Sequence, residues 1–357
     1  MFAPERHELI LQSLQRHGRL LVAELAAELG VSAITVRRDL GELDAAGRLR
    51  RVHGGAIGIS PTTRPGNDAD AGRGPIIGLV VPSATYYYAD VVRGAEAAAA
   101  RYGARLVLGV SGYDTAVERE RIDKVLDLGV AGLLLSTAVG DGRGADLGDQ
   151  LDRLGAPVVL VERAFGFPHV QHEYDHVRTD HAYGALLALR HLASLGHRRI
   201  GVSLRTSVTA HWLRRGIEEA AGLLDVEPFV SALVLSADGD DAATRARVDA
   251  FLAECEEQQA HAVLVHSDED AARLVERAME RGMRIPEDLA VIAYDDVTAA
   301  LAVVPLTAVC PPKLAIGEVA CEVLLRRLQA PDGPRRHLSL LPELRVRASC
   351  GPISDRI

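Results

Sequence analysis

The sequence predicts an α/β protein, a large body of parallel sheets covered by helices, preceded by a small helical head. Three observations carry this expectation. After about residue 75, short apolar runs recur at Ile76–Val81, Leu106–Val110, Gly132–Leu135, Val158–Val161, Ile200–Val202, Ala262–Val265 and Leu289–Ile292. Between them lie amphipathic stretches such as Val91–Tyr102, Glu118–Leu128, Gly184–Leu195 and Asp270–Arg281. Buried strands alternating with helical segments are what a parallel sheet with both faces covered requires. Before residue 58 the pattern instead has the period of helices and ends in a basic hairpin. Between the two, residues 58–74 are rich in Gly, Pro, Asp and Thr and lack apolar periodicity, which reads as a linker. The expected division is a head at 1–57, a linker at 58–74 and a body at 75–350.

In the head, Val22, Leu25, Ala26 and Leu29 form one apolar stripe, and Gly30 ends that helix. Ser32 follows as the N-cap of the next helix, in which Val36, Leu40 and Leu43 face the core and turn Thr35, Arg37 and Arg38 outward. A tight turn followed by a helix with a basic outer face is the geometry that enters a major groove. The run Arg48-Leu-Arg-Arg-Val-His-Gly-Gly then alternates basic and apolar residues into a turn, a β-wing whose Arg51 and His53 reach phosphate or the minor groove. An isolated Arg-Arg pair is ordinarily a solvated helix face. Its place between a cap, a turn and a basic hairpin favours DNA.

The net charge of −9 runs against nucleic-acid binding until it is divided by region. Residues 1–57 hold eight Arg against seven Asp and Glu, with five of those Arg between Arg37 and Arg51, so the acidity belongs to the body. A local basic face suffices, because affinity follows the phosphates neutralised. The four cysteines lack C-x-x-C spacing and the histidines of 169–176 lack metal-ligand spacing, so neither a metal nor a cofactor is expected. No G-x-S-x-G elbow and no phosphate-binding G-x-x-x-x-G-K-[ST] loop is present, which argues against an enzyme. No run has the roughly 18 apolar residues of a membrane span, and residues 1–20 carry charges where a signal peptide is apolar. A cytoplasmic protein is expected.

In the body, the strand at Ile76–Val81 leads to three adjacent tyrosines, Tyr86 to Tyr88, in a chain with 4% aromatics. Ligands of open α/β sheets bind beyond the carboxyl ends of strands, and aromatic faces stack on sugars. The plainer alternative is that one or two of these rings seal the helix against the strand.

Two resemblances sharpen these readings. Arg6-His-Glu-Leu-Ile, Val22-Ala-Glu-Leu-Ala, Val31-Ser-Ala-Ile-Thr-Val-Arg-Arg-Asp-Leu and Arg51-Val-His-Gly-Gly-Ala together resemble the DeoR-type winged helix-turn-helix. The resemblance implies DNA contacts at Thr35, Arg37 and Arg38, and the full candidate set is Ser32, Thr35, Arg37, Arg38, Arg48, Arg51 and His53. Val130-Ala-Gly-Leu-Leu-Leu, Pro157-Val-Val-Leu-Val-Glu-Arg, Leu195-Gly-His-Arg-Arg-Ile-Gly, Ile285-Pro-Glu-Asp-Leu-Ala-Val-Ile-Ala-Tyr-Asp-Asp and Pro305-Leu-Thr-Ala-Val resemble the LacI/GalR regulators and their periplasmic sugar-binding relatives.

That second resemblance implies a type I periplasmic-binding-protein-like body with two lobes and three crossovers. The expected lobes are 75–175 with 305–328, and 176–304 with 329–350. It also implies a ligand between the lobes, gripped by Tyr87, Tyr88, Glu162, Arg163, Ser267, Asp268 and Asp295. An arginine usual in the family falls on Leu213, so Trp212 or Arg214 is expected to replace it. Glu162 and Arg163 could instead pair with each other, and the aspartates could simply cap helices and turns.

The function implied is a sugar-responsive homodimeric regulator, a repressor of carbohydrate genes, bound to double-stranded operator DNA. An activator, or a sensor of a nucleoside or polyol, is the nearest rival. A sugar-modifying enzyme or transport receptor fused to a head is the more distant one.

Overall fold

The computed structural model describes residues 6–7, 9–10, 13, 19–45, 49–52, 55–58, 74–138, 151, 155–163, 174–235 and 241–351. The chain falls into two compact units, Met1–Ala71 and Gly72–Ile357.

In the first unit, β1 (Arg19–Leu21) leads directly into α1 (Val22–Leu29), and Gly30, with a φ of 63°, turns the chain into α2 (Ala33–Ala45). That left-handed angle is one glycine adopts without strain. The hairpin β2 (Leu49–Val52) and β3 (Gly55–Gly58) pairs antiparallel, and β1 adds to the outer side of β3. Ile10, Leu20, Val22, Leu25, Val36, Leu40 and Leu43 make the core, so the stripes read from periodicity are the packed faces.

The second unit has two six-stranded sheets. The first runs β14-β8-β7-β6-β4-β5, comprising β4 (Ile76–Val81), β5 (Arg105–Val110), β6 (Gly132–Leu135), β7 (Val158–Val161), β8 (Asp175–Thr179) and β14 (His337–Leu340). All its pairs are parallel. The second runs β10-β9-β11-β12-β13-β15. It comprises β9 (Arg199–Leu204), β10 (Glu227–Val230), β11 (Ala262–His266), β12 (Ala290–Tyr294), β13 (Thr307–Cys310) and the edge strand β15 (Glu343–Arg345), which alone is antiparallel.

The connecting helices are α3 (Tyr87–Arg101), α4 (Thr115–Asp127), α5 (His181–Ser194), α6 (Val208–Leu223), α7 (Asp241–Glu257), α8 (Asp268–Glu280) and α9 (Lys313–Gln329). Helices α3 and α9 lie against each other at backbone distance. A Cβ at Gly94 would overlap the Leu314 carbonyl, and one at Gly317 would overlap that of Val91.

The α/β architecture and the parallel sheets agree with the sequence reading, but the lobe limits differ from it. β8 pairs with β7, so the first crossover follows Thr179 and not residue 175. β13 pairs with β12, which places 307–310 in the second lobe, and β14 pairs with β8, which places 337–340 in the first. The reason is physical. β8, Asp-His-Val-Arg-Thr, and β14, His-Leu-Ser-Leu, lie toward one edge of the sheet and carry polar residues, so neither forms the apolar run that marks a central strand. Among the described residues, no helix is long and apolar enough to cross a membrane.

Candidate functional site

The candidate DNA face lies on α2. Ser32 Oγ accepts the Thr35 backbone N–H at 3.2 Å and lies 2.9 Å from Thr35 Oγ1. Ser32 therefore caps the helix, and the two hydroxyls engage each other. Arg38 is exposed and pairs only loosely with Glu42 one turn on, at 3.2 Å, which leaves it available to a phosphate. The backbones of Arg37 and Arg51 lie on α2 and β2, but their side chains, like Arg48 and His53 as a whole, are outside the described residues. A contact the sequence did not suggest anchors this helix from behind. Arg6 grips both oxygens of the buried Asp39 at 2.7 and 2.9 Å, and His7 adds a third contact at 3.3 Å. His7, Asp39 and Glu42 could in principle surround a metal ion. Arg6 already neutralises Asp39, so an ion pair satisfies that group.

The second candidate site lies between the lobes of the body, where the carboxyl ends of β4, β7 and β8 face those of β11 and β12. Each strand end delivers one or two polar side chains. Glu162, with a φ of 60°, leaves β7 and is buried. Its carboxylate takes the Tyr87 hydroxyl at 2.6 Å, Thr179 Oγ1 at 2.7 Å and the Thr179 N–H at 3.0 Å. His181, the first residue of α5 across the crossover, lies 3.4 Å away through Nε2, and its Nδ1 is 3.0 Å from the Tyr294 hydroxyl. Burial alone would push this carboxyl up, but His181, Tyr87 and the Thr179 amide together outweigh it and hold Glu162 at about 2. The result is a polar chain, Tyr87–Glu162–His181–Tyr294, that joins the two lobes. Since four protein donors surround Glu162, its main role here is to fix the lobes and not to present a free acceptor.

Arg163 points away from Glu162, so the two do not pair. Its guanidinium donates to the Thr137 carbonyl at 3.1 Å and lies 5.4 Å from the centre of the Tyr113 ring. Thr137 is itself bonded to the buried Glu118 at 2.7 Å, which ties the β6 exit to α4.

The three tyrosines divide. Tyr88 is sealed in the first lobe, where it accepts from Ser136 Oγ at 2.8 Å and packs among Val91, Leu134 and Val161, the plainer of the two readings above. Tyr87 serves the interlobe chain. Tyr86, one of the three tyrosines singled out in the sequence but not in the set implied by the resemblance, reaches across toward Ser267 and Asp295 of the second lobe.

The aspartates divide as well. Asp268, at the start of α8, accepts the N–H groups of Asp296 at 3.2 Å, Val297 at 2.5 Å and Thr298 at 3.0 Å, and so organises the turn after β12. Burial raises it to about 6 in spite of those bonds. Asp296 pairs with Arg345 and Arg347 at 2.9 and 2.7 Å. Asp295, with a φ of 104°, stays buried in the site. Burial and the neighbouring Asp268 push it well above the usual carboxylate range. Lys313, at the start of α9 and also buried, donates to the Asp295 carbonyl and lies 5.5 Å from the Tyr87 ring centre.

Trp212 is half-buried, and Arg178 of the first lobe sits over its ring at 3.8 Å, while Arg214 is exposed. Trp212 therefore makes an interlobe stack, and Arg178 is the partner that the sequence did not reveal. Thr179, His181, His266 and Lys313 were missed too. Each lies outside the apolar runs, and only the crossovers bring them together.

Comparison with known proteins bears on both units. Residues 6–62 match the DeoR-like helix-turn-helix domain, and residues 189–350 match the periplasmic binding protein-like domain. The arabinose metabolism transcriptional repressor of Geobacillus stearothermophilus is 27% identical over 317 residues, covering 86% of this chain and 84% of the relative. The ribose operon repressor of Haemophilus influenzae is 28% identical over 282 residues, covering 76% of this chain and 80% of the relative. A solved transcriptional regulator CelR–cellobiose complex superposes with a TM-score of 0.64 at 26% identity, covering 78% of this chain and 86% of that one. The chain thus joins an N-terminal DeoR-like helix-turn-helix domain to a C-terminal periplasmic-binding-protein-like domain, and its relatives are transcription repressors and regulators.

Proposed function

We propose that this chain is a DNA-binding transcription regulator, a repressor of carbohydrate genes, whose hold on its operator is set by a small sugar bound between the two lobes. The observation that carries the reading is the union of parts. A helix with an outward Arg38 follows a tight turn in the head, while the body holds buried, polar side chains from two lobes at facing strand ends. Relatives named for arabinose and ribose, and a structural neighbour with cellobiose, support the ligand class. A cytoplasmic homodimer that uses no cofactor and catalyses no reaction fits this role, since two heads would read two half-sites of an operator.

The test is retardation of DNA taken from upstream of the chain's own gene, with and without sugar, across a range of salt. A specific complex at low salt that weakens linearly with the logarithm of salt is expected. Arg38→Ala should weaken it for all sequences alike and reduce the magnitude of the salt slope by about 1, the signature of one lost phosphate contact. Binding that ignores Arg38 and salt would remove DNA from the account.

A further inference from the structure

The body carries the chain's excess of acid, yet one end of its first lobe is basic. The stretch from Arg326 to His337 holds Arg326, Arg327, Arg335 and Arg336 against a single acid, Asp332. Packing gathers these arginines at one place. Arg326, Arg327 and Arg336 wall one hollow together with Ala330, Gly333 and Pro334. Arg335 lies 3.9 Å from Asp175, which lines the same hollow.

The four arginines differ in what they hold. Arg327 is buried, and its donors go to both oxygens of Asp175 and to the carbonyls of Pro331, Gly333 and Pro334, so it is the scaffold of the loop. Arg326, Arg335 and Arg336 are exposed. Among the described residues, the guanidinium groups of Arg326 and Arg336 have no hydrogen bond or ion pair, and Arg335 has only the distant Asp175, which Arg327 already neutralises. A lone surface arginine is ordinarily a solvated charge. Three held together by one braced loop instead repel one another, and a partner with closely spaced negative charge relieves that repulsion.

The place of the patch in the fold selects the partner. All strand pairs of the first sheet are parallel, so β14 and β4 start at the same end, four strand spacings or about 19 Å apart. β4 begins at Ile76, just after residues 58–74, which join the body to the helix-turn-helix head. The basic end is thus the end by which the body is tethered to the head. Duplex DNA presents one phosphate charge per roughly 1.7 Å of its axis, so a flank beyond the sequence that the head reads offers acceptors at any base composition.

We propose that Arg326, Arg335 and Arg336 form a second DNA contact, through which the body grips backbone phosphates flanking the sequence read by the head. This inference rests on the reading of the chain as a DNA-binding regulator. Contacts of this kind add affinity and fix orientation without reading sequence.

The test compares the full chain on two operator fragments, one trimmed to the sequence that the head protects and one extended by about one helical turn, roughly 10 bp, on each side. Affinity is measured by retardation between about 50 and 200 mM salt. The parent should bind the extended fragment more tightly and with the steeper salt dependence. The double variant Arg326→Gln with Arg336→Gln should lose that advantage, its slope on the extended fragment falling in magnitude by about 2 for each body engaged, which is on the order of tenfold in affinity over that salt range. On the trimmed fragment it should match the parent. Arg326→Lys with Arg336→Lys, which keeps the charges, should keep most of the slope. If the double variant does not fold, Arg326→Gln alone carries the test, with a fall of about 1. An unchanged slope on the extended fragment, an equal loss on both fragments, or full DNA affinity in a variant that has lost binding of inorganic phosphate overturns this proposal and leaves the regulator reading intact. If the parent retards neither fragment, both fall.

Discussion

Replacing Arg327 with leucine should destabilise the two-lobed body by about 3–5 kcal/mol, the range found when one partner of a buried ion pair is removed. Arg327 is almost wholly buried on α9, and its Nε and Nη2 donate to the two oxygens of Asp175 at 2.8 and 3.0 Å. Its remaining donors reach the carbonyls of Pro331 at 2.8 Å, Gly333 at 2.5 Å and Pro334 at 2.8 Å. Asp175 in turn accepts the Arg336 N–H at 2.8 Å. One guanidinium therefore holds the start of β8, the end of α9 and the loop that sets β14 in register. Without it, the Asp175 carboxylate stays in the interior with Arg336 N–H and a more distant Arg335 as its remaining partners. Thermal unfolding should show Tm lower by roughly 10 °C for a unit of this size. The double change Asp175→Leu with Arg327→Leu should recover part of that loss, because it leaves no unpaired charge. A single variant as stable as the parent would mean that water reaches the pair and screens it.

Glu162→Ala is expected to cost about 3 kcal/mol at neutral pH, with an acid dependence that identifies the cause. The carboxyl of Glu162 is depressed from 4.5 to about 2 in the folded chain, so the unfolded chain binds the proton more readily. Its contribution is complete above the unfolded value near 4.5 and is lost as pH falls through about 2. The parent should therefore lose stability over that window by more than the variant does. Two hydroxyls, one amide and His181 lose their acceptor in the variant, and the Thr179 N–H becomes a buried donor without a partner. Denaturant titrations at a series of pH values between 2 and 7 check both points. Parallel pH curves for the two proteins would show that Glu162 does not carry this charge.

The core of the fold was legible because its central strands are buried on both faces and read as continuous apolar runs. β6, β7, β11 and β12 are each buried along their whole length. β8 and β14 were not legible, since half-polar strands toward a sheet edge have no such run. The head was legible down to its cap, because Gly30, Ser32 and the Val36–Leu40–Leu43 stripe are local signals. The interlobe site was legible only in part. Strand order placed Glu162 and Asp295 at strand ends, but whether each faces a ligand or a neighbour depends on side chains far apart in sequence. His181 is 113 residues from Tyr294, and Arg178 is 34 from Trp212, so no spacing rule links them. Position alone could not tell Tyr86 from Tyr88. Tyr88 is buried against Ser136 within the helix, whereas Tyr86 precedes the helix with a φ of 53° and faces the other lobe.

The account stands or falls on coupling between the two units. The decisive measurement is the affinity of the full chain for its own operator fragment at fixed salt, with and without a sugar that alters Trp212 emission, paired with the sugar's affinity for free and operator-bound chain. Binding free energies are linked, so the account predicts one and the same factor of change in both directions. A sugar that binds between the lobes and leaves operator affinity untouched would contradict it.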